Sequence, residues 1–328
     1  MKTAKKILKR IGQGLGVILL LVGGFCAYVA VTPPRTYDPP VAPNIHVEST
    51  EARIQRGEVI AHLQCISCHA DNNNRLTGKR LDELPAIFGK VYSRNITKDK
   101  EKGIGNWTDG QLIYFLRTGI RPNGTTAFMP QYNLMADEDM KSVVAWLRSD
   151  RFPVQASKTE APPAEYSFVA KMLAWTILQP GDFPNQSIPM PDSTKPVAVG
   201  RYVATAVADC YGCHSADYLD LDKVHPERTK GYFAGGSKFT DEAGKTIFSA
   251  NLTFDEQTGI GKKYTKEQFI RAVKTGVRPD GTIFRYPMVP RLSLSDREIA
   301  AIYDYLKTIP RLNNNIAQKQ AEVQLAEK

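Results

Sequence analysis

No charged residue occurs between Ile11 and Val31, and beyond that run every cysteine belongs to one of two short pairs. Beyond the two pairs the only other cysteine, Cys26, lies in the apolar run, so a disulfide framework is not expected. No stretch interleaves basic and aromatic residues, so the formal charge of +9 does not point to nucleic acid. Five of those positive charges, Lys2, Lys5, Lys6, Lys9 and Arg10, sit in the first ten residues. Composition carries no collagen-like or disordered bias. A length of 328 residues suggests about two domains. No run of residues reads convincingly as strand.

The uncharged run is 21 residues long, and at about 1.5 Å per residue a helix of that length spans roughly a bilayer core. Its basic flank belongs in the cytoplasm, which places everything after Val31 outside. No clean small-x-small cleavage site follows, and bulky Phe25 before Cys26 suits a lipoprotein site poorly, so the run is expected to remain as an anchor. Gly12 and Gly16 form a small-residue pair of the kind that packs transmembrane helices. A Pro-rich tether, Thr32 to Pro43, follows as a semi-rigid spacer.

An internal repeat organises the rest. Asn95 to Gly124 reads NITKDKEKGIGNWTDGQLIYFLRTGIRPNG, and Asn251 to Gly281 reads NLTFDEQTGIGKKYTKEQFIRAVKTGVRPDG. A Met–Pro neighbourhood follows each copy, then Asp137 to Leu147 matches Asp296 to Leu306. Thr108 with Gln111, Thr265 with Gln268 and Ser295 with Glu298 have the spacing of capping boxes. The helices behind the first two boxes are expected to stop at Gly119 and Gly276. The segments before Cys65 and Cys210 show helical apolar spacing. Between the copies, a Pro-rich stretch reads as linker, and the tail from Arg311 reads as polar and frayed or loosely helical.

Before each copy stands a Cys-x-x-Cys-His: Cys65-Ile-Ser-Cys68-His69 and Cys210-Tyr-Gly-Cys213-His214. This is the c-type haem attachment motif. Cysteines three apart share a helix face and reach both vinyl groups of one porphyrin, while the adjacent His turns onto the iron. A redox dithiol or a four-Cys zinc site would explain neither the His after each pair nor the methionine beside proline at matching places downstream. Those methionines, Met129 and Met288, are the expected sixth ligands, giving His69 and Met129 on one iron and His214 and Met288 on the other. A methionine is usually core filler; Met135 and Met140 are the alternatives for the first iron and Met190 is a linker methionine, and the repeat alignment favours Met129 and Met288. His46, His62 and His225 lack counterparts in the other copy. Trp107 and Tyr264, and Arg121 and Arg278, occupy equivalent places and are candidates for hydrogen bonding to haem propionates. Asn95-Ile-Thr and Asn251-Leu-Thr resemble glycosylation sequons, but their place in the repeat favours a haem-side turn. His/Met ligation fills both axial positions, which suits an electron carrier with no catalytic residue of its own.

Together these residues resemble the tandem cytochrome c proteins that serve as cytochrome subunits of membrane-bound bacterial dehydrogenases for alcohols, gluconate and related substrates. The matching elements are both haem motifs, both Asn-(Ile/Leu)-Thr…Gly-Ile-Gly segments, both Arg-Pro-(Asn/Asp)-Gly turns, Ala234-Gly235-Gly236, and the linker with Trp175 and Pro180-Gly-Asp-Phe183. The resemblance implies an all-α fold with two tandem class I cytochrome c domains, each with an N-terminal helix crossing a C-terminal one, behind an N-terminal transmembrane helix. The expected organisation is a cytoplasmic basic segment over 1–10, a transmembrane anchor over 11–31, a tether over 32–49, domain 1 over 50–150, a linker over 151–196, domain 2 over 197–311 and a polar tail over 312–328. It implies two covalently bound haems c and a single-pass protein of the bacterial inner membrane with periplasmic haem domains. Partners would be redox proteins: a dehydrogenase, a quinol-oxidising complex or a terminal oxidase. The alternative reading is a dihaem enzyme, such as a peroxidase with one labile haem site.

Overall fold

The computed structural model describes residues 2–82 and 84–326. Met1 of the expected basic segment, Glu83 of the expected first domain, and Glu327 and Lys328 of the tail lie outside the described residues. The chain opens with α1, Lys2–Val31; within it Lys5–Val31 is long and apolar enough to cross a membrane, with a mean hydropathy of 2.4. The tether is pinned to the first half of the chain. Thr36 bridges Thr125, and the Tyr37 amide donates to the Gly124 carbonyl at 2.8 Å.

In the first half, α2 covers Glu51–Gln64, α3 covers Ile66–His69, α4 covers Asp109–Thr118 and α5 covers Asp137–Arg148. Helix α4 starts at a complete capping box, with the Thr108 side chain accepting from the Gln111 amide and the Gln111 side chain accepting from the Thr108 amide. It ends at Gly119 in the left-handed conformation. The linker carries α6, Phe168–Thr176. The second half repeats the plan with α7 over Pro196–Tyr202, α8 over Cys210–Cys213, α9 over Lys266–Thr275 and α10 over Asp296–Leu306. A π-turn over Val203–Val207 prolongs α7 towards Cys210.

Two findings differ from the sequence reading. Strands are present: β1 (Gly89–Lys90) pairs antiparallel with β2 (Glu165–Tyr166), and β3 (Lys238–Thr240) pairs with β4 (Thr246–Phe248) in a hairpin. Pieces of two or three residues are too short to show the alternation that marks a strand in sequence. The tail is also less loose than its polarity suggested. It forms α11, Ile316–Ala326, tied down where Gln320 donates to the Thr246 carbonyl at 2.7 Å and Asn314 donates to the carbonyls of Ala234 and Gly235.

In each half the first long helix crosses the last: α2 lies on α5, and α7 lies on α10. Glycine makes both crossings close. A Cβ on Gly57 would overlap the Ser142 carbonyl, and one on Gly200 would overlap the Ala301 carbonyl. Ile60, Val144 and Trp146 are buried at the first crossing, and Val203, Ile299 and Leu306 at the second. Each such side chain contributes about 1.5–3 kcal/mol of burial. The two sets join in one continuous apolar cluster.

Polar contacts lock the halves reciprocally. Arg56 of α2 reaches both Asp139 of α5, at 2.8 Å, and Glu298 of α10, at 2.6 Å. Tyr202 of α7 donates to the same Asp139 at 2.7 Å and accepts from the Ala136 amide.

Candidate functional site

Each Cys-x-x-Cys-His sits where its first long helix gives way to a short turn of helix. That turn aims the histidine at a carbonyl from the repeat. His69 Nδ1 lies 2.7 Å from the Arg94 carbonyl, and His214 Nδ1 lies 2.8 Å from the Ala250 carbonyl. Carbonyl oxygen only accepts, so Nδ1 carries the proton and Nε2 keeps its lone pair. Such a hydrogen bond fixes the ring orientation and tautomer of a metal-ligating histidine. Burial lowers the pKa of both rings and keeps them neutral, as ligation requires.

The residue after each accepting carbonyl explains the Asn-x-Thr repeats. Asn95 Oδ1 accepts from the Thr97 amide, while its Nδ2 donates to the Ser157 and Thr159 carbonyls, both at 2.7 Å. Asn251 makes the same turn with Thr253 and donates to Leu312 at 2.7 Å. Both amides are buried. They are structural pins that hold the carbonyl against the histidine. The start of the linker and the start of the tail therefore do one job in the two halves.

The second site opens into a cavity of about 1060 Å³ lined by Cys210, Cys213, His214 and Met288, on the scale that holds a large cofactor. At the first site Cys65, His69 and Met129 line one cavity, but the space between them is only about 40 Å³. The fit there rests on the donor set, which matches the second site. Met135 and Met140 are instead fully packed in the core, and Met190 is exposed.

Cys65 and Cys210 lack the depressed pKa values that mark a redox dithiol. Burial pushes both Cys65 and Cys210 up to about 12, whereas redox dithiols depend on depressed values. Among the described residues no cluster of three or more His, Cys, Asp or Glu side chains could hold a metal ion on its own. A bare four-Cys zinc site is therefore not assembled.

The propionate candidates divide. Tyr264 and Arg278 line the second cavity. Trp107 and Arg121 are not among the residues lining the first. Trp107 stands edge-on to Phe115 at 5.4 Å. Arg121 donates to the Thr126 carbonyl and Thr125 hydroxyl, as Arg278 does to Ile283 and Thr282, so both guanidinium groups also brace their Arg-Pro-x-Gly turns. His46 lies 3.6 Å from Asp109 and His225 lies 3.8 Å from Glu227, both apart from the cavities.

Three equivalent pairs escaped the sequence reading. Gln64 precedes Cys65 and lines the first cavity; Asp209 precedes Cys210 and lines the second. Tyr132 of the first site is matched by Arg291 of the second: their amides donate to Leu116 and Val273, equivalent positions on α4 and α9. Arg117, itself buried, donates to the Tyr132 and Met135 carbonyls beneath the Met129 loop, and Lys274 does the same for Leu294. The first site is thus framed by neutral Gln and Tyr, the second by a carboxyl and a guanidinium. Burial pushes the Asp209 carboxyl up to about 7. The repeat alignment and the motif positions already set Arg117 opposite Lys274 and Gln64 opposite Asp209; only the match of Tyr132 with Arg291 needs the fold to reveal it.

Residues 54–150 match the cytochrome c family model. Over 294 residues the chain is 27% identical to a protein named as the cytochrome c subunit of a quinone alcohol dehydrogenase from Gluconobacter oxydans (strain 621H), covering 84% of this chain and 59% of that one. It is 28% identical to the cytochrome c subunit of gluconate 2-dehydrogenase from Pantoea cypripedii, covering 80% and 60%. A diheme cytochrome c-type protein of Cereibacter sphaeroides is 26% identical, over 61% of this chain and 68% of its own. The chain spans about three-fifths of the length of the two dehydrogenase subunits.

Proposed function

Because the chain carries a cytochrome c domain and resembles dehydrogenase cytochrome subunits along most of its length, we propose that it is a membrane-anchored dihaem electron carrier. In this reading residues 50–150 and 197–311 are tandem class I cytochrome c domains, 11–31 is the anchor, and 32–49 and 151–196 are tether and linker. Residues 1–10 stay in the cytoplasm and both domains face the periplasm. The observation that carries it is the duplicated ligand geometry: in each half the motif histidine is held through Nδ1 by a repeat carbonyl, and a methionine lines the same cavity.

Haem c, when bound, supplies a one-electron couple. Cys65 and Cys68, and Cys210 and Cys213, hold it by thioether bonds. His69 and Met129, and His214 and Met288, offer one nitrogen and one sulfur each to an iron. Ligation by one histidine and one methionine would suit single-electron relay. Apolar residues such as Phe269, Val273 and Leu294 line the second cavity, and Tyr264 and Arg278 supply polar contacts there. The donor is proposed to be a dehydrogenase or quinol-oxidising complex, with a further redox protein as acceptor.

The test is haem stoichiometry on full-length protein extracted in detergent. Two haems per chain are expected, falling to one when either cysteine pair is replaced by alanine. Rapid cyanide binding to either iron would overturn the carrier reading. Identifying the co-purifying subunits would name the partner.

A further inference from the structure

The short linker helix α6 is more apolar than a solvent-facing linker needs to be. From Phe168 to Leu178 it carries a single charge, Lys171. Phe168 is 45% exposed, Ile177 66% and Leu178 37%. Ile87, from the adjoining segment, is exposed as well.

The partners of α6 fix where this apolar surface lies. Its Lys171 Nζ donates to the Ala30 carbonyl at 3.0 Å, and Trp175 Nε1 donates to the Pro33 carbonyl at 3.3 Å. The rings of Trp175 and Tyr28 meet edge to face at 5.4 Å. These partners belong to the last turn of α1 and the first residues beyond it. On the other side α6 is tied to the first domain, where the Ser167 amide donates to the Phe88 carbonyl at 3.1 Å and β2 pairs with β1.

We propose that α6 is a second membrane contact, lying in the interfacial layer of the lipid bilayer at the level where α1 emerges. The inference rests on the reading of α1 as a retained anchor, and it adds what the tether alone would not provide. A lone spanning helix leaves a domain free to swing; a second contact braced on both sides holds the first site at a fixed height and tilt above the lipid. The residue types agree with this placement. Tyr and Trp favour the membrane–water interface, and a lysine can lay its stem on apolar surface while its charged end finds polar partners. Binding of a surface helix to a membrane grows with the apolar area it buries there.

The experiment uses full-length protein, with Cys26→Ser, reconstituted into vesicles of phosphatidylcholine and phosphatidylglycerol. Single exposed positions receive an environment-sensitive fluorophore through Ile177→Cys, Leu20→Cys or Val224→Cys. Quenching by a doxyl group on the lipid is compared with quenching by aqueous iodide. The label at Ile177 is expected to show a blue-shifted emission and several-fold stronger lipid quenching than the label at Val224, strongest with the shallow doxyl lipid. Iodide quenching at Ile177 equal to that at Val224 would overturn the proposal, as would shielding from both quenchers, which marks a protein occupant. Leu20 separates the two readings. If Leu20 is quenched by lipid while Ile177 is not, the interfacial contact fails and the anchor stands. If Leu20 itself escapes lipid quenching, the anchor reading fails and takes this proposal with it.

Discussion

The side-chain amide of Gln64 donates a 2.7 Å hydrogen bond to the carbonyl of Val207. Gln64 directly precedes Cys65 of the first motif, and Val207 stands three residues before the second motif. One hydrogen bond therefore joins the segments that lead into the two Cys-x-x-Cys-His motifs. Gln64→Ala should leave both midpoint potentials in place, because it alters no charge, and should slow electron exchange between the two sites. Time-resolved photoreduction would measure the exchange. A stability loss of about 1 kcal/mol is expected from the lost bond. An unchanged exchange rate would mean that the contact only docks the domains.

Arg56 supplies the other link. Its guanidinium is 26% exposed, while the Asp139 side chain it meets is 3% exposed. Arg56→Met leaves that carboxylate buried with Tyr202 as its remaining partner. The expected loss is about 2–3 kcal/mol, below the range for removing one partner of a fully buried pair because part of the arginine faces water. Calorimetry should then resolve two unfolding transitions in place of one. The same network gives a pH signature. Burial by itself would raise the Glu298 carboxyl, but hydrogen bonds from Ser295 and the charge of Arg56 outweigh it and hold the carboxyl below its ordinary value. A depressed folded-state value stabilises above the unfolded pKa near 4.3 and is lost as pH falls through the lowered one. Docking should weaken below about pH 4, and Arg56→Met should flatten that dependence.

Much of this architecture was legible because the chain states it twice. The capping boxes at Thr108, Thr265 and Ser295 and the left-handed stops at Gly119 and Gly276 appear where their spacing placed them. These features are local, and local chemistry decides them. Gly57 and Gly200 carry no such signal, since their role exists only once α2 meets α5 and α7 meets α10. The repeat already favours a turn over a sequon at Asn95 and Asn251; their further work as pins depends on carbonyls more than 60 residues away. The strands were missed because pairing, not pattern, makes two-residue pieces into a ladder.

Asp209 and Arg291 at the second site, against Gln64 and Tyr132 at the first, predict two unequal sites. A fixed cation near the iron disfavours the more positive oxidised form and so raises the potential. Arg291→Tyr, which copies the first site, should lower the second midpoint by on the order of tens of millivolts, the scale of one screened charge in a partly buried site. The first midpoint should not move. Spectroelectrochemical titration of the variant gives both values, and a shift at the wrong site would refute the assignment of Arg291 to the second haem.

Arg117 is a positioning residue for Met129. Its guanidinium is 1% exposed, donates to the Tyr132 and Met135 carbonyls and pairs with Asp137 at 2.8 Å. It anchors the loop that carries Met129 to α4. The second half solves the same problem with Lys274, whose ammonium donates to the Leu294 carbonyl at 2.5 Å and lies 3.5 Å from Asp296. Arg117→Ala strands two carbonyls and should cost about 3 kcal/mol. Because the loop is freed, the sulfur-to-iron charge-transfer band of the first haem should weaken and its potential should fall, while the second haem keeps both. Arg117→Lys installs the residue the protein already uses at the equivalent place, so it should restore the band and most of the stability. A merely structural arginine would lower stability in the alanine variant without altering the band. Loss of the band in the lysine variant would show that the loop needs the guanidinium fork, which binds both carbonyls and Asp137 at once, and that the two halves are not interchangeable at this position.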